Sequence, residues 1–230
     1  QSTSNKKPAL CFLIAAGVTT SGMEITNEFT KGLGDSFPIF GISSGDQWEF
    51  KTNYQFYNTR ILEDSVSFLM FSGPLLYGAA VKTGWEPRGN FSRITRSQRN
   101  IVYEIDNRSA VSFYQEYIGN DLSHAATHPL AVFEDDNSDN FYLRAPFLPN
   151  LEDGSIVFAG DLIENSRVKI SYTNSDKIIA AAKAAVTEAK ETYPGTKPAA
   201  VLCTSCAARK QVLGTRTVEE IALVSKSYPN

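Results

Sequence analysis

The uncharged run Ala9–Gly17, Ala-Leu-Cys-Phe-Leu-Ile-Ala-Ala-Gly, constrains the fold more than any other stretch. An apolar run without alternation reads as a strand buried on both faces. Extended to Val18 it is still too short to span a bilayer, which takes about 20 apolar residues. Ser21-Gly-Met-Glu24 then matches a capping box, whose hydroxyl and carboxylate satisfy orphan N–H groups at a helix start. Ile25, Phe29 and Leu33 line one face of that helix, and Gly34 suits its stop. Pro38–Ile42 is a second apolar strand, broken by Ser43-Ser-Gly-Asp46. Strand, helix, strand in this order implies a parallel pair joined by a right-handed crossover.

The rest of the chain alternates between the two structure types. Tyr54–Asn58, Val66–Phe71 and Leu75–Val81 read as strands of an antiparallel meander. A short helix is expected at Ala110–Ile118, with Ser109 as cap and Gly119 at its end. Further strands are expected at Leu130–Phe133, Phe141–Arg144, Ser155–Phe158 and Arg167–Tyr172. Glu134–Asn140 reads as a solvated hairpin loop, because it lacks the Gly and distal Glu of an EF-hand calcium loop. The clearest helix runs from Asp176 to Thr192, capped by Ser175, with Ala182, Val186, Ala189 and Tyr193 on one face and a stop at Pro194-Gly195. Ala199–Cys203 reads as a buried strand, Ser205 as the cap of the next helix, and Thr217-Val-Glu-Glu220 as a capping box for the last. The expected class is α/β or α+β, with mixed β-sheets and flanking helices. With 230 residues, 42% of them hydrophobic, the chain can build a core without disulfides, as one large domain or two small ones. A net charge of −3 gives no electrostatic case for nucleic acid or an anionic membrane.

The cysteines Cys11, Cys203 and Cys206 are too few and odd in number for a secreted disulfide framework. No signal peptide is visible, so the chain reads as cytoplasmic. Cys203-Thr-Ser-Cys206 falls where a strand gives way to a helix, whose N-terminus would lower a thiol pKa in a thiol oxidoreductase. The plainer reading is that Cys203 closes a strand and Cys206 faces a pocket. His124 and His128 are the only histidines, and Pro129 directs His128 into an extended segment, away from a zinc-bearing helix. Gly41-Ile-Ser-Ser-Gly45 is only a loose likeness of a nucleophile elbow, and a Ser–His–Asp triad would have to use one of those two histidines. What remains is a set of polar and aromatic residues at element ends: Asp46, Trp85, Arg144, Ser205, Cys206 and Arg209. An Asp, an Arg and an indole beside a helix start would suit an anionic or zwitterionic small ligand. Taken singly, each is more ordinary: a turn Asp, a core Trp, surface arginines.

At these residues the chain resembles the FIST sensory domain, named for F-box and intracellular signal transduction proteins. GISSGD (Gly41–Asp46) is similar to the family's GGxAGD signature, and Phe56-Tyr57-Asn58 to the aromatic strand after it. GWEPRG (Gly84–Gly89) resembles GW-x-P-x-G, and Val102–Gly119 resembles an E-x-D-G-x-P-A segment that ends on Y-x-x-x-x-G. HPLAVF, YLRAP, LEDGSIVFAGDL and SCAARKQVLG follow in family order. The chain departs from the pattern at Ser43-Ser44, at Asn107-Arg108-Ser109 and at Ala208. The resemblance implies two lobes: residues 1–60 as the later part of a FIST N-type lobe, and 61–230 as a FIST C-type lobe. It also implies that the chain is the middle of a longer protein. The implied function is a non-enzymatic input domain for a small ligand such as an amino acid or small organic acid. Gly45, Asp46, Trp85, Arg144, Ser205, Cys206 and Arg209 would form the site. The output partner would be a histidine kinase, a cyclic-di-GMP enzyme or a chemotaxis receptor, with no nucleic acid or membrane involved. No cofactor is required in this reading; because some family members bind haem, the alternative is a nitric oxide sensor with His128 or His124 on the iron.

Overall fold

The computed structural model describes residues 6–17, 20–46, 48–49 and 51–228. The chain forms two compact units, residues 1–78 with 192–207 and residues 79–191 with 208–230. The class is α+β with mixed sheets.

In the first unit, β1 (Pro8–Ala16) leads through α1 (Gly22–Leu33) to β2 (Ile39–Ser44). β1 and β2 are parallel, in register from Cys11–Ile39 to Ala16–Ser44. On its other side β1 pairs antiparallel with β5 (Val66–Ser72), so β1 is the central strand of three. That place explains its unbroken apolar run: Leu10, Cys11, Leu13, Ala15 and Ala16 are all buried. The Ser21 cap forms, its Oγ accepting from the Glu24 N–H at 3.2 Å, and the Gly34 N–H closes the helix on the Thr30 carbonyl. Phe29 packs edge-on against Phe68 of β5, with centroids 5.5 Å apart. Between β2 and β5, β3 (Tyr54–Tyr57) and β4 (Arg60–Glu63) make a hairpin whose turn residue Asn58 has φ +52°.

Two expected strands do not form. Leu75–Val81 carries no strand pairing; it follows Gly73, at φ +90°, and Pro74, so the chain turns away from the sheet edge that β5 occupies. Ala199–Cys203 likewise pairs with no strand, and Val201 and Leu202 are exposed. An apolar run becomes a strand only where it pairs with a neighbour.

In the second unit the strands are β6 (Glu86–Gln98), β7 (Ile101–Ile105), β8 (Arg108–Ser109), β9 (Leu130–Phe133), β10 (Phe141–Arg144), β11 (Pro146–Pro149), β12 (Ile156–Phe158) and β13 (Arg167–Tyr172). They lie in the order β10-β9-β13-β6-β7-β12-β11, with β8 paired to β7. β10 and β11 stand at opposite edges of this path, yet only Ala145 separates them in the chain. The sheet must therefore roll almost into a barrel, and the Ala159 N–H joins the Ala145 carbonyl at 2.8 Å at the seam. α2 (Ala110–Ile118), capped by Ser109 and stopped by Gly119, fills the interior with Val111, Phe113 and Tyr114. These pack with Ile94, Val102, Leu130, Ile156, Phe158 and Ile170.

α3 (Ser175–Glu191), α4 (Ala207–Leu213) and α5 (Thr217–Ser227) follow. The cap of α3 is Asn174, whose Oδ1 accepts from the Lys177 N–H at 2.9 Å; the expected cap, Ser175, instead donates to the Val212 carbonyl. The expected capping box at α5 does not form either. Thr217 Oγ1 donates back to the Gly214 carbonyl at 2.8 Å, and Glu220 is turned inward and buried.

Candidate functional site

The reason for that inward glutamate is Arg209 on α4, only 7% exposed. Its Nε donates to Glu220 Oε1 at 2.7 Å, and Nη2 donates to the same oxygen. Nη1 donates to the Lys82 and Thr83 carbonyls at 3.2 and 2.6 Å, and Nη2 also to the Ile178 carbonyl at 3.1 Å. Every guanidinium nitrogen is thus engaged, tying α4 to α3, to α5 and to the segment before β6. A guanidinium so fully occupied is a packing element, and the expectation of Arg209 as a ligand contact gives way to that role. Trp85 is its neighbour in a small core with Ile178, Ala208 and Leu213. Its indole N–H donates to the Thr127 carbonyl at 2.8 Å. The turn before it needs Gly84: φ is +85°, and a Cβ there would meet Ile178 Cα at 3.0 Å.

Arg144 ends β10 and is half-buried, with Nε on the Asp161 carbonyl at 3.1 Å and Nη1 on the Leu143 carbonyl at 3.2 Å. It lies over the Tyr142 ring, 4.4 Å from the centroid, and burial pulls its pKa below the usual guanidinium range.

His128 is half-buried, with Nδ1 3.2 Å from Thr127 Oγ1 and its ring edge-on to Tyr172 at 5.0 Å. Burial lowers its pKa from 6.5. The residues around it do not fit a haem: the Tyr114 hydroxyl donates to the His128 carbonyl, and Tyr114 and Phe113 of α2 fill the barrel beside it. His124 is exposed. Ser205, Cys206 and Cys203 are exposed as well. α4 is only seven residues long, which limits the dipole that could activate Cys206. Among the described residues, no group of three or more His, Cys, Asp or Glu could hold a metal ion, and no helix is long and apolar enough to cross a membrane.

The remaining two expected residues, Gly45 and Asp46, lie in the first unit, directly after β2. One oxygen of Asp46, Oδ2, accepts from the Lys51 N–H at 2.7 Å, which organises the loop as a turn aspartate does. Beside this loop is a polar cluster that sequence reasoning missed. Asn53 and Gln55 are 5% and 1% exposed. Asn53 Oδ1 accepts from the Gly17 N–H at 3.2 Å, just past β1, and from Gln55 Nε2 at 3.0 Å. Ser44, the last residue of β2, has its Oγ within 3.0 Å of both the Ala15 carbonyl and Asn53 Oδ1, and accepts from Gln55 Nε2 at 2.8 Å. The Gln55 carbonyl arm accepts from the Ser65 N–H at 3.1 Å. Gly17 permits this closure, because a Cβ there would collide with the Ser44 carbonyl oxygen.

Backbone N–H groups fix both amide orientations: only an oxygen can face Gly17 and Ser65. Asn53 Nδ2 is then left buried with no hydrogen-bond partner among the described residues. Leaving such a donor unmet costs about 1–3 kcal/mol. A signal for the cluster was present at the entry to β3, where Asn53 and Gln55 alternate with the exposed Tyr54 and Phe56. The polar side faces in.

The FIST N domain family model matches residues 2–108 and the FIST C domain model residues 110–230. An uncharacterized protein of Methanocaldococcus jannaschii is 28% identical over 160 residues, covering 62% of this chain. The chain spans 30% of the length of that relative. No solved structure matches. The two family models together cover nearly the whole sequence, and the chain therefore belongs to the FIST family of signal-transduction sensory domains.

Proposed function

We propose that the chain is a non-enzymatic input module that binds a small organic molecule, an amino acid or small organic acid, in the cytoplasm. It passes the signal to an output protein such as a histidine kinase or a cyclic-di-GMP enzyme. The observation that carries this reading is that Gly41–Asp46, the stretch resembling the family signature, runs along β2 and leaves it at the carboxyl end of the parallel β1–β2 pair. Ligands of open α/β sheets characteristically lie outside that edge. Ser44, Gly45 and Asp46 come first among the contacts. Trp85 and Arg209 support the second unit from within. The surroundings of His128 lend no support to the haem alternative, and the short α4 lends none to thiol chemistry.

Calorimetric titration of the chain with amino acids and small organic acids tests the reading. Saturable heat is expected for at least one, weakened by Asp46→Ala. Unchanged affinity in that variant removes the loop from the site, and silence across the panel removes the reading.

A further inference from the structure

Packing accounts for every side-chain arm of the first unit's polar cluster except one. Asn53 is only 5% exposed, its oxygen is held by Gly17 and Gln55, and its amide nitrogen donates to nothing among the described residues. Flipping the amide would not relieve it, because the nitrogen would then face the Gly17 N–H. Gln55 cannot turn to accept from it either, since its own carbonyl arm is committed to the Ser65 N–H. The donor is thus rigidly set and unspent at the carboxyl ends of β1 and β2.

We infer that this edge is a binding site for an acceptor oxygen, in which Asn53 Nδ2 donates to a carboxylate or carbonyl of a small ligand. Gly17 and Ser44 hold the donor in place by pinning the two strand ends together. The charged side chains of the neighbouring loop are already occupied. Asp46 accepts from the Lys51 backbone, and the Lys51 ammonium is 3.4 Å from Glu49. A neutral amide donor therefore sets the chemistry, and either a carboxylate or an uncharged carbonyl satisfies it. This inference rests on the sensory reading only for the identity of the natural ligand.

The test is nuclear magnetic resonance on the ¹⁵N-labelled full chain. Asn53→Asp identifies the side-chain NH₂ pair by its loss, and keeps an oxygen facing the Gly17 N–H. Titration with sodium acetate and with acetamide, against sodium chloride at equal ionic strength, should shift the Asn53 NH₂ pair and the Gly17 amide saturably. Acetate acting alone assigns a carboxylate site; acetamide acting equally assigns a carbonyl site. Asn53→Asp should weaken either response at least about tenfold. An NH₂ pair unmoved by both probes, or moved equally by chloride, overturns the inference. So does a response that survives in Asn53→Asp. If that variant does not fold, the wild-type titration decides by itself. Acetate or acetamide binding without any heat from the amino-acid panel would leave the site standing and remove the sensory reading.

Discussion

Two buried polar clusters, one in each unit, look alike by composition and differ in their accounts. Around Arg209 every nitrogen has a partner, and the one carboxylate that faces it, Glu220, is buried with it. Around Asn53 the hydrogen bonds close on one arm of the amide and leave the other open. A satisfied network specifies packing, and a nearly satisfied one carries the cost of an unmet donor. That contrast separates residues the sequence alone could not rank. Arg209 stood among the candidate contacts on the strength of its motif, and Asn53 did not stand there at all.

The largest expected effect breaks the closed cluster. Glu220→Ala leaves a buried guanidinium without its counter-charge, and should cost about 3–5 kcal/mol in urea unfolding. Arg209→Met with Glu220→Leu should cost less than either single change, because no uncompensated charge remains. A Glu220→Ala loss below about 1 kcal/mol would mean that the pair is solvated, and Arg209 would return to the candidate ligand contacts. The open cluster should respond more weakly. Asn53→Ala removes the acceptor of the Gly17 N–H but also the orphan donor, so a loss of about 1–2 kcal/mol is expected. Hydrogen exchange at the Gly17 amide should accelerate in that variant, while exchange in α3 stays unchanged. A loss as large as that of Glu220→Ala would erase the distinction between the two clusters.

What the chain revealed in advance follows the same division. β1, α1 and β2 were legible because an uninterrupted apolar run, a capping box and a stop glycine all agree locally. The barrel was not. Its longest strand, β6, reads Glu-Pro-Arg-Gly-Asn-Phe-Ser-Arg-Ile-Thr-Arg-Ser-Gln, and only Ser92 and Ile94 of it are buried. Pairing with β13 and β7 makes it a strand, and pairing is invisible to a local pattern. Leu75–Val81 and Ala199–Cys203 fail in the opposite sense, apolar enough for strands but paired with none. At the candidate site, Gly45 and Asp46 were visible as a motif. The donor beside them was hidden, since a buried polar residue just before a strand defeats a search keyed to buried apolar residues.

The smallest effect concerns pH and tests whether the second unit carries a further unspent group. His128 has a folded pKa below its ordinary 6.5, chiefly through burial, with the nearby charge of His124 acting in the same direction. The unfolded chain therefore binds the proton more readily. Above about pH 6.5 both states hold a neutral ring and stability does not depend on this group. As pH falls through 6.5 toward the folded value, the unfolded state gains a proton that the folded state does not, and stability declines. The decline is complete once the pH lies below the folded value. His128→Phe keeps an aromatic edge against Tyr172 and removes the titration. Melting temperatures of wild type and variant between pH 8 and pH 5 should diverge only on the acid side of about 6.5, with the variant flatter. Parallel curves would place the ring in solvent, open to exchange protons freely, and the interior of the barrel would then be less closed than Tyr114 and Phe113 make it.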